Sequence, residues 1–147
     1  MKLKIAIFVA LMLSIGQPST AQEARVTQQA TVFETYSFSD PNPVPSLSYK
    51  PNIYPYFTFD GYSVKAQNKE WNLITLENEF LKVTVMPEIG GRIWGAIEKS
   101  TSEDFIYKNE VVKFRNIAMR GPWTSGGIEF NFGIIGHSPA TASPVDY

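Results

Sequence analysis

The chain predicts an all-β fold, an antiparallel β-sandwich, and three observations predict it. Beyond residue 21 no stretch places apolar residues at helical spacing between capping residues. Short runs of Val, Ile, Phe, Tyr and Trp recur instead, several of them alternating with polar residues as a half-buried strand does. Most of the ten prolines and ten glycines fall between those runs, where turns are needed.

Taken in order, residues 1–21 read as a secretory signal peptide. Lys2 and Lys4 give the positive start, residues 5–15 are apolar but short for a membrane span, and Ser19-Thr20-Ala21 is a small-residue cleavage site. Cleavage after Ala21 makes the protein secreted or periplasmic and leaves no integral membrane segment. The alternative is an uncleaved N-terminal anchor helix. No cysteine follows, so a lipid anchor is not indicated.

Residues 22–55 read as an N-terminal strand and a proline-rich connector. Residues 23–30 are polar, a mobile lead-in. Residues 31–38 form a strand with Val32, Tyr36 and Phe38 on one side. From 39 to 55, repeated X-Pro pairs forbid regular pairing and leave an extended segment that packs onto the surface.

Residues 56–147 read as the sandwich domain, cut short at its C-terminal end. Residues 71–77 and 80–86 make a hairpin around Asn78-Glu79, with Leu81, Val83 and Val85 on one face. Pro87 ends that strand, and Gly90-Gly91 supplies the positive φ of the next reversal. Residues 92–98 follow, with Ile93 and Ile97 on one side and Arg92, Trp94 and Glu98 on the other. A polar turn at 99–104, a short strand at 105–107 and a strand at 111–119 bring the count to about seven or eight.

Composition then excludes several classes. There are no cysteines, so packing alone must hold an exported chain together. Without the two leader lysines the net charge is −3, with no basic block, which argues against nucleic acid and anionic lipid. One histidine, no thiols and no close carboxylate cluster argue against a metal, and phosphate-loop, dinucleotide and serine-nucleophile motifs are absent. No cofactor is expected. Aromatics at 14% suit a carbohydrate-facing β protein.

Candidate site residues crowd into residues 120–137. Gly121-Pro122 and Gly126-Gly127 bracket Trp123, and the run 128–132 alternates. An extended strand there sends Ile128, Phe130 and Phe132 into a core and turns Glu129 and Asn131 toward a ligand. Gly133 and Gly136 precede His137, the single histidine. An imidazole titrates near working pH and an indole stacks on the C–H face of a sugar. Arg120 and Arg92 are candidates to grip hydroxyls or a carboxylate. The plainer readings are a solvated sheet face for Glu129 and Asn131, a structural His137, core packing for Trp94, and an Arg92–Glu88 ion pair.

Two runs carry a family resemblance: LENEFLKVTVMPEIGGRIWGAIEKSTSEDFIYKN (76–109) and RGPWTSGGIEFNFGIIGHSPATASPVDY (120–147). They resemble the DUF5107 family, domains of unknown function in exported bacterial proteins. That family is similar in turn to the galactose mutarotase-like group, whose β-supersandwich domains bind carbohydrate. The second link rests on Asn78, Leu81, Pro87, Gly90, Gly91, Arg92 and Ile93. The resemblance implies a carbohydrate partner and a place in such a supersandwich. Mutarotases carry their histidine acid and glutamate base late in the domain, and neither role transfers to His137 or Glu129 by motif. A complete sandwich of this kind needs roughly 250 residues, so the chain reads as the N-terminal portion of a longer protein.

The function expected is an exported carbohydrate-binding, carbohydrate-active domain. Glu129 and His137 are the acid–base pair, and Arg120, Trp123, Asn131 and Arg92 bind the substrate. A glycosidase would need two carboxylates, with Asp146 the nearest partner for Glu129. The alternatives are a non-catalytic sugar-binding or scaffold module of a larger secreted protein, and an adhesin fragment that binds protein.

Overall fold

The computed structural model describes residues 23–43, 55–117, 120–131, 136–137 and 139–147. The leader reading, most of the proline-rich connector and Phe132 lie outside them. The fold is all-β. Among the described residues eight strands form: β1 (Arg25–Tyr36), β2 (Gln67–Glu77), β3 (Leu81–Met86), β4 (Arg92–Glu98), β5 (Glu103–Asp104), β6 (Val112–Lys113), β7 (Arg115–Asn116) and β8 (Pro122–Trp123). The first six make one curled sheet in the order β5-β4-β3-β2-β1-β6, and β7-β8 is a separate ribbon. Every pair is antiparallel except β1–β6, so the sheet is mixed.

The β2–β3 hairpin forms where Asn78 predicts it. Its side-chain Oδ1 accepts from the amides of Phe80 and Leu81 at 2.9 and 2.8 Å, closing the turn without help from glycine. Lys99 fastens the far end of β4 to this turn, donating to Glu77 at 2.7 Å and to the Asn78 carbonyl at 2.9 Å. That contact holds the Glu77 carboxyl below its ordinary value. Pro87 stops β3 in a single 3-10 turn, Pro87–Ile89, and Gly90 leaves it at φ 63°. The C-terminal segment straps this turn down: Gly90 donates to the Ser143 carbonyl at 2.9 Å and Val145 to that of Pro87 at 3.1 Å.

The core is Trp71, Met86, Ile89, Trp94, Val112 and Phe114, flanked by Phe33, Phe38, Leu73 and Ala142. Trp71 buries its indole and still satisfies its N–H, donating to Thr35 Oγ1 at 2.9 Å. Trp94 packs edge-on to Phe33 at 6.1 Å.

Four expectations are corrected. β1 starts at Arg25, so the polar stretch is half of the longest strand and not a lead-in. Its core side carries Phe33 and Thr35, whereas Val32 is 59% exposed. Between β3 and β4 the register shifts at Thr84 and Val85 of β3, pairing Val83 with Ala96 and Val85 with Ile93. An odd and an even residue thus share a face, Trp94 is left without a partner, and simple alternation fails through the bulge. Residues 105–107 form no strand, with Phe105 and Tyr107 exposed, and within the described part of 111–119 the two short strands β6 and β7 stand in place of one.

These facings set a direct test. Met86→Ala empties a fully buried site and is expected to lower unfolding free energy by about 2–5 kcal/mol. Val32→Ala on the exposed side of β1 costs below about 1 kcal/mol. Urea denaturation of the two variants, followed by tryptophan fluorescence, checks the difference.

Candidate functional site

The site is assembled by one backbone bridge. Ile128 and Ile93 exchange both amide hydrogen bonds, at 2.9 and 3.2 Å, which lays residues 127–129 beside the start of β4. Gly126 and Gly127 make the approach possible at φ 88° and 69°. A Cβ on Gly127 would collide with the Ile93 carbonyl, so only glycine fits there. The chain then leaves the sheet, and residues 129–131 of the expected strand 128–132 are not strand.

This departure reverses the expected facing. Ile128 and Phe130 are each 43% exposed, while the Glu129 side chain is only 10% exposed. What draws Glu129 inward is Arg92. The Arg92 side chain is 3% exposed, and its Nη2 meets Glu129 Oε2 at 2.9 Å. Its Nη1 donates to the Gly126 carbonyl, and its Nε has no hydrogen-bond partner among the described residues. A guanidinium taken out of water needs a counter-charge. Burial lowers the proton affinity of Arg92, and the Glu129 carboxylate pulls it back up. The Arg92–Glu88 pair is replaced by this one; Glu88 instead accepts from the Asn72 amide at 2.7 Å.

The other Glu129 oxygen reaches outward. Oε1 lies 2.9 Å from His137 Nδ1, and the His137 side chain is 43% exposed. The imidazole stands edge-on to Trp123 at 6.2 Å and 85°. His137 sits at φ 52°, a left-handed conformation that a non-glycine residue holds only against strain. Two contacts fix it there. Its backbone N–H donates to Asn131 Oδ1 at 2.6 Å, and the Arg120 guanidinium donates to the Gly136 carbonyl.

All six residues named from the sequence therefore meet in one constellation, with unequal positions. Arg92 is the buried anchor, Glu129 the link and His137 the exposed end, with Trp123 against its ring. Asn131 and Arg120 hold the backbone of the histidine loop; the expectation that Glu129 and Asn131 share a ligand-facing strand surface is replaced by these contacts. Asp146 has no hydrogen bond or ion pair to Glu129. Trp94 is core.

A second concavity was not legible in the sequence. A cleft of about 590 Å³ is lined by Phe38, Phe57, Trp71 and Phe114, with Lys69 and Glu88 among its polar groups. Lys69 Nζ lies 3.8 Å over the Trp71 ring. Pro122 lines this cleft while Trp123 turns to His137, so two-residue β8 stands between the two features. Only the aromatic content hinted at it, because its walls come from seven separate stretches of chain.

An all-β domain whose loops bind a buried arginine to an exposed histidine is the class defined so far. The model of the DUF5107 family, a domain of unknown function, matches residues 49–147, and the chain belongs to that family. Among solved structures it is similar to a TPR-domain-containing protein from Parabacteroides distasonis ATCC 8503. The two are 29% identical with a TM-score of 0.72, over 84% of this chain and 21% of that one. The chain thus spans about a fifth of that protein.

The ion pair makes a stability prediction. Arg92→Met and Glu129→Gln each leave a buried polar group without its partner and are expected to cost about 3–5 kcal/mol. The double variant should cost less than the sum by about 1–3 kcal/mol. Urea denaturation of the four proteins closes that cycle, and a coupling near zero would remove the pair from the account.

Proposed function

We propose that this domain binds carbohydrate and performs acid–base chemistry on it, with His137 as the group that meets the sugar. One observation carries the reading: an exposed imidazole held at Nδ1 by a carboxylate, beside an indole ring. A carboxylate on Nδ1 fixes the ring and its tautomer and leaves Nε2 to take or give a proton. No described residue hydrogen-bonds Nε2. Trp123 supplies an apolar surface of the kind that the C–H face of a pyranose covers. The similarity of the DUF5107 family to the galactose mutarotase-like group, carried here by Asn78, Leu81, Pro87, Gly90, Gly91, Arg92 and Ile93, supports the choice of sugar, and the leader reading of residues 1–21 supports an exported protein.

Within this reading His137 is the catalytic residue and Glu129 and Arg92 are positioning residues. Both oxygens of Glu129 are engaged, so it serves His137 and does not itself meet the sugar. Proton transfer at the anomeric or ring oxygen by such a group contributes about 10²–10⁴-fold.

The aromatic cleft favours a second reading, a non-catalytic sugar-binding module. Its volume lies in the range of small-ligand sites, and none of its lining residues belongs to the histidine constellation. The two readings separate in one experiment. The full chain is titrated calorimetrically against a panel of mono- and oligosaccharides, and bound sugars are assayed for mutarotation and hydrolysis. If His137 does the chemistry, His137→Ala lowers turnover at least about 100-fold while sugar affinity changes only a few-fold. If the cleft is the site, Phe57→Ala abolishes binding and no variant of His137 has an effect. Absence of binding to every sugar removes both.

A further inference from the structure

Among the described residues β1 is the longest strand, and only one of its edges is covered along its length. β2 pairs with it from Arg25↔Glu77 to Thr35↔Gln67. On the other edge β6 meets only Thr35 and Tyr36, so from Arg25 to Glu34 that edge is bare among the described residues. Two hydrogen bonds show which backbone groups face which way. The Tyr36 carbonyl accepts from Phe114 at 3.0 Å on the β6 side, while the Ser37 carbonyl accepts from Ser63 at 2.7 Å on the opposite side. Strand alternation carries this back along β1: the N–H and C=O of Glu34, Val32, Ala30, Gln28 and Val26 point to the open edge.

Native sheets blunt an edge of this length with proline, lysine, a bulge or a covering segment. Residues 25–34, RVTQQATVFE, contain no proline, lysine or glycine, and the β1–β2 register is unbroken. Their charges, Arg25 and Glu34, sit at the two ends.

We infer that β1 is the interface between two copies of this chain, which join edge to edge, antiparallel, with Gln29 on the two-fold axis. A closed symmetric pair sets residues against each other that face the same side of the sheet and the same way along its edge. On this axis Val26 lies opposite the partner's Val32, Gln28 opposite the partner's Ala30, and Thr27 opposite the partner's Thr31. The Val26 and Gln28 pairs are the hydrogen-bonded ones. Val26 and Val32, 63% and 59% exposed, gain β-branched cross-strand neighbours twice over. Moving the axis to Ala30 sets Val26 against glutamate, and moving it to Gln28 sets Val26 against alanine. The partner strand begins opposite Phe33, so its Glu23 and the residues before it must turn away from Thr35, where β6 joins.

The absence of cysteine makes the test clean. Gln29→Cys places two thiols across the axis in a non-hydrogen-bonded pair, where Cα atoms approach to about 4.5 Å, within disulfide reach. Thr27→Cys sets its own two copies roughly 13 Å apart. The full chain is expected to run in sedimentation and light scattering at twice the mass of a single chain. Mild oxidation should link Gln29→Cys into a covalent dimer at least ten times faster than Thr27→Cys. Gln28→Pro removes an N–H on the open edge and spares the β2 side, and should yield a monomer with unchanged far-UV circular dichroism. Val32→Lys should do the same and serves if the proline variant unfolds. A single-chain mass at every concentration overturns the inference. So does a dimer that cross-links equally at both positions, or one that survives a folded Gln28→Pro or Val32→Lys variant.

Discussion

A guanidinium removed from water dictates much of this structure. Arg92 lies at the start of β4 with its side chain 3% exposed, immediately after the Gly90-Gly91 reversal. Unpaired, a charge at that depth costs several kcal/mol. Glu129 supplies the compensating charge from 37 residues further along the chain. To reach it the backbone bridges to Ile93, turns through two glycines, and gives up the strand that its side-chain pattern favours. The same carboxylate then has one oxygen left over, and that oxygen meets the imidazole. Site geometry follows from the stability requirement.

The elements legible in the sequence are those whose signals are local. Asn78 closes the hairpin with its own side chain, Pro87 stops a strand because it lacks an N–H, and Gly90 takes a conformation closed to other residues. The misreadings arise where a distant partner overrides local pattern. Ile128 and Phe130 alternate as core residues should, yet they are exposed because Arg92 claims Glu129 between them. Trp94 falls at a bulge that shows only when β3 and β4 are paired. The first half of β1 offers only Val26 and Ala30 among polar residues, too little alternation to distinguish it from a loose end; its strand character comes from β2 alongside.

The candidate site was legible for a related reason. Five of its six residues lie within residues 120–137, and turn residues at 121, 126 and 127 fold that segment back on itself. What the sequence did not carry was the order of the contacts. It presented Glu129 and His137 as equals, whereas the structure makes one the support of the other. Arg92 was visible as a polar residue at a strand start, but its partner depended on tertiary packing. The aromatic cleft was invisible for the same reason, since Phe38, Trp71 and Phe114 converge from three separate stretches of the chain.

Because His137 is the single histidine, its ring nitrogens are directly observable by ¹⁵N NMR. With Nδ1 at 2.9 Å from a carboxylate oxygen, the neutral ring must carry its proton on Nδ1 and leave Nε2 bare. Recording the tautomer of the full chain at a pH where the ring is neutral, with and without Glu129→Gln, tests that claim most directly. The account predicts the Nδ1–H form in the native protein and a shift toward Nε2–H when the carboxylate is replaced. A native ring already in the Nε2–H form, indifferent to the substitution, would contradict it.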